Sequence, residues 1–522
     1  MVKLTINNQP IEADSGMTVW QAAKSAGIDI PVMCYLEETG HIASCMICLV
    51  KNVKNGQLFA SCSTPVSEGQ IIVTNDEEVT QSRKTALELL LSEHVGDCEA
   101  PCQAVCPAHM NIPLMNRLIS KGDFAKSLEV VKRDIALPAI LGRICPAPCE
   151  AACRRKQVDD AVSICTLKMF VGDKDLSNGQ PFRPKVSDPS GKTVAIIGSG
   201  PAGMAAAYYL QIKGHQVVLF ERAERPGGAL LQIDRSLLPE ETIKSEIDEI
   251  LALGVQLHLN ENIDEERFAN LQKVFDAIVV ATGTHGPEGN SYGLATNNSG
   301  IEADKFSYQT SKNGVFAIGN ALRTSKMAVR SVGQGKEVAA VIDHYLNFGE
   351  IKGYPARFNS KFGKLTAEEF VHYLKDSETS PRQIADSKGF TVDSAILEAR
   401  RCMHCDCRKP ESCLLRGYSD KYLADQKRFK GEERKTVEKM IHREGIVYEP
   451  AKCIKCGICV QLTTNHREEF GLTFIGRGFE VKIGVPFNEK IEQGLKNTAW
   501  EVSKACPTGA LAMFGEEEQL NL

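Results

Sequence analysis

No stretch of this 522-residue chain approaches the roughly 18 consecutive apolar residues that cross a bilayer, and its start lacks the apolar core of a secretory leader. Neither sign of charge prevails, with 61 Lys and Arg against 66 Asp and Glu. Nucleic acid and anionic membranes are therefore not expected as main partners, and no transmembrane segment is expected. Composition also excludes collagen-like, disordered and disulfide-scaffold classes. What the chain has in excess is cysteine, 19 in all. Without a leader they point to a reducing, cytoplasmic setting, where thiols are candidate metal ligands. At about 100–200 residues per domain, the length suggests three to five domains.

The cysteines fall in four groups: 34, 45, 48 and 62; 98, 102, 106, 145, 149, 153 and 165; 402, 405, 407 and 413; and 453, 456, 459 and 506. None lies between 166 and 401. Free cysteines of a core occur singly at apolar positions, whereas many of these sit in loop-like text such as Cys145-Pro-Ala-Pro-Cys149. Zinc competes, since CxxC pairs also serve a tetrahedral ion. Cys453-x2-Cys456-x2-Cys459 with the remote Cys506-Pro507 instead follows the ferredoxin run of three close thiolates plus a distant one. Cys402, Cys405, Cys407 and Cys413 are close enough in sequence for one [4Fe–4S] cluster.

Residues 1–78 read as a β-hairpin (Val2–Ile6 and Gln9–Glu12), a helix around Val19–Ala23 and a cluster loop. The spacing Cys34-x10-Cys45-x2-Cys48-x13-Cys62 suits a [2Fe–2S] centre. This segment resembles the N-terminal ferredoxin-like domain of the large iron–sulfur subunit of respiratory complex I and of iron-only hydrogenases, which implies a β-grasp fold. A helix with Ala86, Leu87, Leu89, Leu90 and Leu91 on one face runs into His94-x3-Cys98. The same resemblance implies that His94 binds iron; a surface histidine at a helix end is the alternative.

Cys98-Glu-Ala-Pro-Cys102-Gln-Ala-Val-Cys106-Pro and Gly142-Arg-Ile-Cys145-Pro-Ala-Pro-Cys149-Glu-Ala-Ala-Cys153 resemble the small subunit of glutamate synthase and the N-terminal part of dihydropyrimidine dehydrogenase. The resemblance implies an α-helical domain over 79–185 with two [4Fe–4S] clusters. Their eight ligands would be seven cysteines, Cys98 to Cys165, and His94. Cys165 stands where that family has an apolar residue, with a Gln or Glu ligand nearby.

Thr193–Ile197 reads as a buried strand, Gly198-Ser-Gly200-Pro201-Ala202-Gly203 as a phosphate-binding turn, and the text to Ile212 as an apolar helix. The strand Gln216–Phe220 ends in Glu221-Arg222, with the acid 18 residues past the third glycine. Glycines admit pyrophosphate, the helix N-terminus offers it amides, and the acid binds ribose hydroxyls. Gly227-Gly228, Ala281-Thr282-Gly283 and Gly319-Asn320 resemble the FAD half of the glutamate synthase small subunit, so a Rossmann-like FAD domain is expected over 186–346. Asn320 stands where that family has Asp. Those relatives insert an NADPH domain after the Ala-Thr-Gly segment. Here Gly314 follows Gly286 by only 28 positions, fewer than one βαβ unit needs, so no NAD(P) site on this chain is expected.

Residues 347–446 read as a mostly helical extension, with 414–446 a solvated helical linker or, alternatively, a partner-docking face. Residues 447–522 again resemble the complex I subunit, with Thr463 in place of a ligand cysteine and one complete ferredoxin-like [4Fe–4S] site left. The whole reads as a multidomain α/β and α+β protein carrying FAD, one [2Fe–2S] and four [4Fe–4S] clusters. The resemblances imply an electron-transferring oxidoreductase subunit of an anaerobe's cytoplasmic hetero-oligomer. It would link an NADH-oxidising flavoprotein of the complex I type, or ferredoxin, to a catalytic redox subunit, with electron bifurcation as one form of that coupling. A glutamate synthase-like small subunit serving an aminotransfer partner, and a cluster wire with structural FAD, are the alternatives. No catalytic acid–base pair or nucleophile stands out.

Overall fold

The computed structural model describes residues 1–284, 292–386, 389–442 and 445–514. Gly286, which opens the short interval above, lies outside the described residues. The chain forms two compact units, one of residues 1–99, 357–376 and 405–522, the other of residues 100–356 and 377–404.

The first unit begins with a five-stranded mixed sheet, in the spatial order Gln9–Ala13, Val2–Ile6, Ile71–Val73, Leu49–Asn52, Leu58–Ala60. Alternation puts Leu4, Ile6, Ile11 and Ala13 on one face, where they meet Val19, Ala22 and Ala23 of the helix Val19–Ser25. Thr18 and Gln21 close that helix's start as a reciprocal capping box. A second helix, Glu77–Glu93, is N-capped by Asp76 and buries Leu87 and Leu91. These two leucines share one apolar core with Met33, Cys34 and Cys45 and with Cys456, Leu462, Leu472 and Ile483. Cys34 and Cys45 of the first cysteine group and Cys456 of the last therefore share a core, while Cys48 and Cys62 belong to the core of the sheet.

Two expectations fail here. Residues 351–366 contain no helix, because Gly353, Pro355 and Gly363 break it. Of 414–446 only Leu414–Lys421 is helical, and the segment is not a solvated linker. Arg416 is buried against Glu99 at 2.6 Å, Arg434 pairs with Glu369, and Lys439 is buried with Asp376. Each cation has found a carboxylate elsewhere in the unit, which is what permits its burial.

The second unit joins a helical subdomain to a five-stranded parallel sheet. The strands run Gln256–His258, Gln216–Phe220, Thr193–Ile197, Ala277–Val280, Val315–Ala317 in space. The helices Pro201–Ile212 and Ala328–Phe348 pack closely; a Cβ on Gly335 would lie 2.7 Å from that of Ala205. Glu246, on the helix Glu240–Leu251, ties the subdomains by accepting the Ala139 and Ile140 amides at 2.9 and 2.8 Å. It thereby caps the helix Pro138–Ile144.

Candidate cluster and nucleotide sites

The nucleotide turn lies at the carboxyl end of the parallel sheet. Gly198 has φ +104, and a Cβ there would strike the Ala281 carbonyl at 2.5 Å; a Cβ on Gly203 would meet the Gly198 oxygen at 1.9 Å. Both glycines are required by main-chain packing. Gly200 and Gly283 instead face open space, with nothing within 4 Å, which is the clearance a pyrophosphate needs. Glu221 is buried and accepts from the Ser199 amide (2.9 Å) and hydroxyl (2.5 Å) and from the Ala223 amide (2.9 Å). Arg222 follows it in the turn after the strand. Ser199 also accepts from the Gly227 amide through its carbonyl (3.2 Å), so turn, acid and Gly227-Gly228 form one network. Gly228 has φ +53 and packs on Gly200. Gly319 presses on Ala202, and its amide donates to Gln334 at 2.8 Å. Asn320 spends its side-chain oxygen on the Ser325 amide at 3.0 Å.

Cys34, Cys45, Cys48 and Cys62 converge in the first unit. The Cys45 amide donates to the Cys34 sulfur at 3.5 Å. Thiols of Cys45 and Cys62 donate toward Cys34 and hold it far below the ordinary thiol range, while Cys62 pulls Cys48 down to about 7. Ala43 and Met46 take left-handed φ of 55° and 56°, which curls the loop around the four sulfurs.

Cys453, Cys456, Cys459 and Cys506 line an apolar cavity walled by Tyr448, Ile458, Ile483 and Leu511. The Lys455 amide donates to the Cys453 sulfur at 3.3 Å. Burial, then the nearby Cys506, pushes Cys453 up to about 11. Four thiols around an apolar hollow, Cys456 buried and the other three half-buried, with an amide aimed at sulfur, fit a [4Fe–4S] cluster. The Thr463 hydroxyl, where a second site would begin, accepts the Leu472 amide (2.9 Å) and donates to the Val460 carbonyl (3.0 Å).

Sequence order grouped Cys98 with the helical subdomain and Cys407 and Cys413 with Cys402 and Cys405. The structure regroups them. The Cys407 amide donates to the Cys98 carbonyl at 3.2 Å, and the Ser360 amide to the Cys98 sulfur at 3.4 Å. Burial, then Cys407, raises Cys98 to about 11 and Cys413 to about 12. His94, the C-cap of Glu77–Glu93, lies in the same unit and is not a surface histidine, being 8% exposed. Its Nδ1 meets the Lys452 carbonyl at 3.0 Å, and burial followed by Lys452 drops it to about 4. The ring is thus neutral with Nε2 left for another partner, the state of a metal-bound histidine.

In the second unit Cys145 ends the helix Pro138–Ile144, Cys149 lies in Pro148–Ala151, and Cys165 opens Ile164–Leu176. Cys165 interacts with both Cys145 and Cys149, and the buried Lys168 feels the charge of these three and of Cys106. Cys106 caps the helix Pro101–Val105, which holds Cys102; Cys153 and Cys402 lie in the same unit. Sequence reasoning missed Ser199, Gln334 and Lys168; only Ser199, inside the glycine turn, carried a signal. Among the described residues no three His, Cys, Asp or Glu side chains converge tightly enough for a single ion; a cubane, gripped at its corners, holds its thiolates farther apart.

Three family models match the chain. Residues 1–77 match a 2Fe-2S iron-sulfur cluster binding domain, 73–180 the 4Fe-4S cluster domain II of dihydropyrimidine dehydrogenase, and 196–258 an NAD(P)-binding Rossmann-like domain. The NADP(+)-dependent formate dehydrogenase subunit beta of Moorella thermoacetica is 36% identical over 42% of this chain and 34% of its own. The NADPH-Fe(3+) oxidoreductase subunit beta of Geobacter sulfurreducens is 37% identical over 37% and 30%. The glutamate synthase [NADPH] small chain of Bacillus subtilis is 38% identical over 34% and 36%. The chain spans about a third of the length of these relatives. Among the described residues no helix is long and apolar enough to cross a membrane. Over these segments the chain is similar to iron–sulfur oxidoreductase subunits, with matches to 2Fe-2S, 4Fe-4S and Rossmann-like domains.

Proposed function

We propose that this chain passes electrons between a nicotinamide-oxidising flavoprotein, or ferredoxin, and a catalytic redox subunit in a hetero-oligomer, through FAD and five clusters. One observation carries it. The helix Ala328–Phe348 touches the nucleotide cradle and a cysteine loop within a single turn. Gln334 accepts the Gly319 amide at 2.8 Å, a Cβ on Gly333 would lie 2.5 Å from the Pro107 carbonyl, and Lys336 donates to the Ala108 carbonyl at 2.6 Å.

When bound, FAD supplies exchange of one or two electrons and the clusters exchange of one. Gly200 and Gly283 clear the path for pyrophosphate, the N-terminus of Pro201–Ile212 points amides at it, and Glu221 is held ready for ribose by Ser199. Twelve cysteines form the [2Fe–2S] set, the Cys453 set and the set Cys106, Cys145, Cys149 and Cys165. The other seven and His94 are the remaining candidate ligands, with His94, Cys98, Cys407 and Cys413 together in the first unit.

FAD rather than a nicotinamide is favoured by the short interval after Gly283. Anaerobic purification with metal analysis tests the reading. The expected result is about 18 irons per chain, one FAD, and co-purifying redox subunits. Zinc in place of iron overturns it. A flavin that stays oxidised while every cluster cycles would reduce the chain to a wire.

A further inference from the structure

Lys168 lies one turn beyond Cys165 on the helix Ile164–Leu176 and is 3% exposed. A buried ammonium is costly unless an opposite charge attends it. The carboxylates of its own helix are paired with other cations: Asp173 with Arg143 at 2.7 Å and Asp175 with Lys132 at 3.4 Å. The charges that act on Lys168 are those of Cys165, one turn before it on the same helix, and of Cys145, Cys149 and Cys106.

The backbone enforces this arrangement. A Cβ on Gly142 would lie 2.6 Å from the Met169 Cα, so the helix that ends at Cys145 touches the helix of Lys168 at Gly142 and Met169. The Cys165 amide donates to Glu150 at 2.9 Å, which ties the start of the second helix to the residue after Cys149.

We propose that Lys168 is the fixed counter-charge of the iron–sulfur cluster held by Cys106, Cys145, Cys149 and Cys165, and that it raises the reduction potential of that cluster. This rests on the reading that these four cysteines hold a cluster. Adding one electron makes a thiolate-ligated cluster one unit more negative, and a cation in a low-dielectric pocket stabilises the reduced form more than the oxidised. The loop beyond Cys106 is the one that lies against Gly333, so the favoured resting place of the electron is the cluster on the nucleotide side.

The test is an EPR-monitored redox titration of the purified holoprotein, with iron analysis, for wild type, Lys168→Gln, Lys168→Met and Lys168→Arg. The neutral variants are expected to keep their iron and to shift one cluster to lower potential by at least tenfold in its redox equilibrium, about 59 mV for one electron. Arg is expected to restore it. Loss of that cluster in both neutral variants with retention in Arg also supports a required positive charge. Unshifted potentials with full iron, or loss in all three variants, overturn the proposal. Cys145→Ala separates the underlying reading: if it loses no cluster signal, the four-cysteine site itself is wrong.

Discussion

Gly333→Ala perturbs the place where the helix Ala328–Phe348 meets the loop after Cys106. The added methyl would stand 2.5 Å from the Pro107 carbonyl oxygen and 3.2 Å from the Ala108 Cα, so reaching ordinary contact at 3.4 Å needs about 0.9 Å of separation. Both obstacles are main chain, and no side chain can swing aside. Alanine in a helix interior gains about 1 kcal/mol over glycine, while overpacking costs about 1–3 kcal/mol. The net loss is about 0–2 kcal/mol, so stability discriminates weakly and the loop position discriminates well. A displaced loop stretches the Lys336 bonds to Ala108 (2.6 Å) and Asp134 (2.9 Å) and carries Cys106 away from the cradle. FAD content is expected to hold, and cluster reduction after anaerobic rapid mixing with a flavin reductant to slow. Gly417→Ala, in a helix and with nothing within 4 Å of its Cβ, serves as the control, gaining about 1 kcal/mol without a change of rate. A Gly333→Ala protein that is stabilised like the control and reduces at the wild-type rate refutes the contact.

Burial pushes Glu246 up to about 7 from 4.5, so the folded protein holds this proton more tightly than the unfolded. Its contribution is full below pH 4.5 and is lost as pH rises through 7, about 3 kcal/mol in all; Glu246→Gln should flatten the melting temperature across that window. Arg401→Met strips Glu398, fully buried beside it at 2.9 Å, of its cation and should cost about 3–5 kcal/mol in denaturant titration. Thr463→Val leaves the buried Leu472 amide without its acceptor, for a loss of about 1–3 kcal/mol. His94→Ala should remove one cluster's EPR signal; His94→Cys should keep the iron and lower that cluster's potential, since imidazole ligation raises it.

The nucleotide turn was legible because everything it needs lies within about 30 residues of sequence: strand, glycines, helix and Glu221. Cys34, Cys45, Cys48 and Cys62 likewise lie close in sequence, whereas Cys506 joins Cys453, Cys456 and Cys459 around one cavity from 47 residues further on. Cys98 was not legible, because its neighbours Cys407 and Cys413 come from the far end of the chain and no local pattern records that meeting. Arg416, Arg434 and Lys439 misled in another way. A run of cations reads as solvated until the carboxylates that neutralise it are known, and Glu99, Glu369 and Asp376 lie far away in sequence. Lys168 looked like one more polar helix position, and only the fold buries it within electrostatic reach of the thiols.

The first unit is assembled from three separate stretches of chain, and this bears on biogenesis. Cys98 leaves the ribosome 315 residues before Cys413, which at about 5–20 residues per second is a delay of roughly 15–60 s. During that interval Cys98 has neither Cys407 nor Cys413 beside it, while Cys34, Cys45, Cys48 and Cys62 already have one another. The two neighbourhoods of this unit are thus completed at different times, and the Cys98 thiol stands without these partners until late in synthesis.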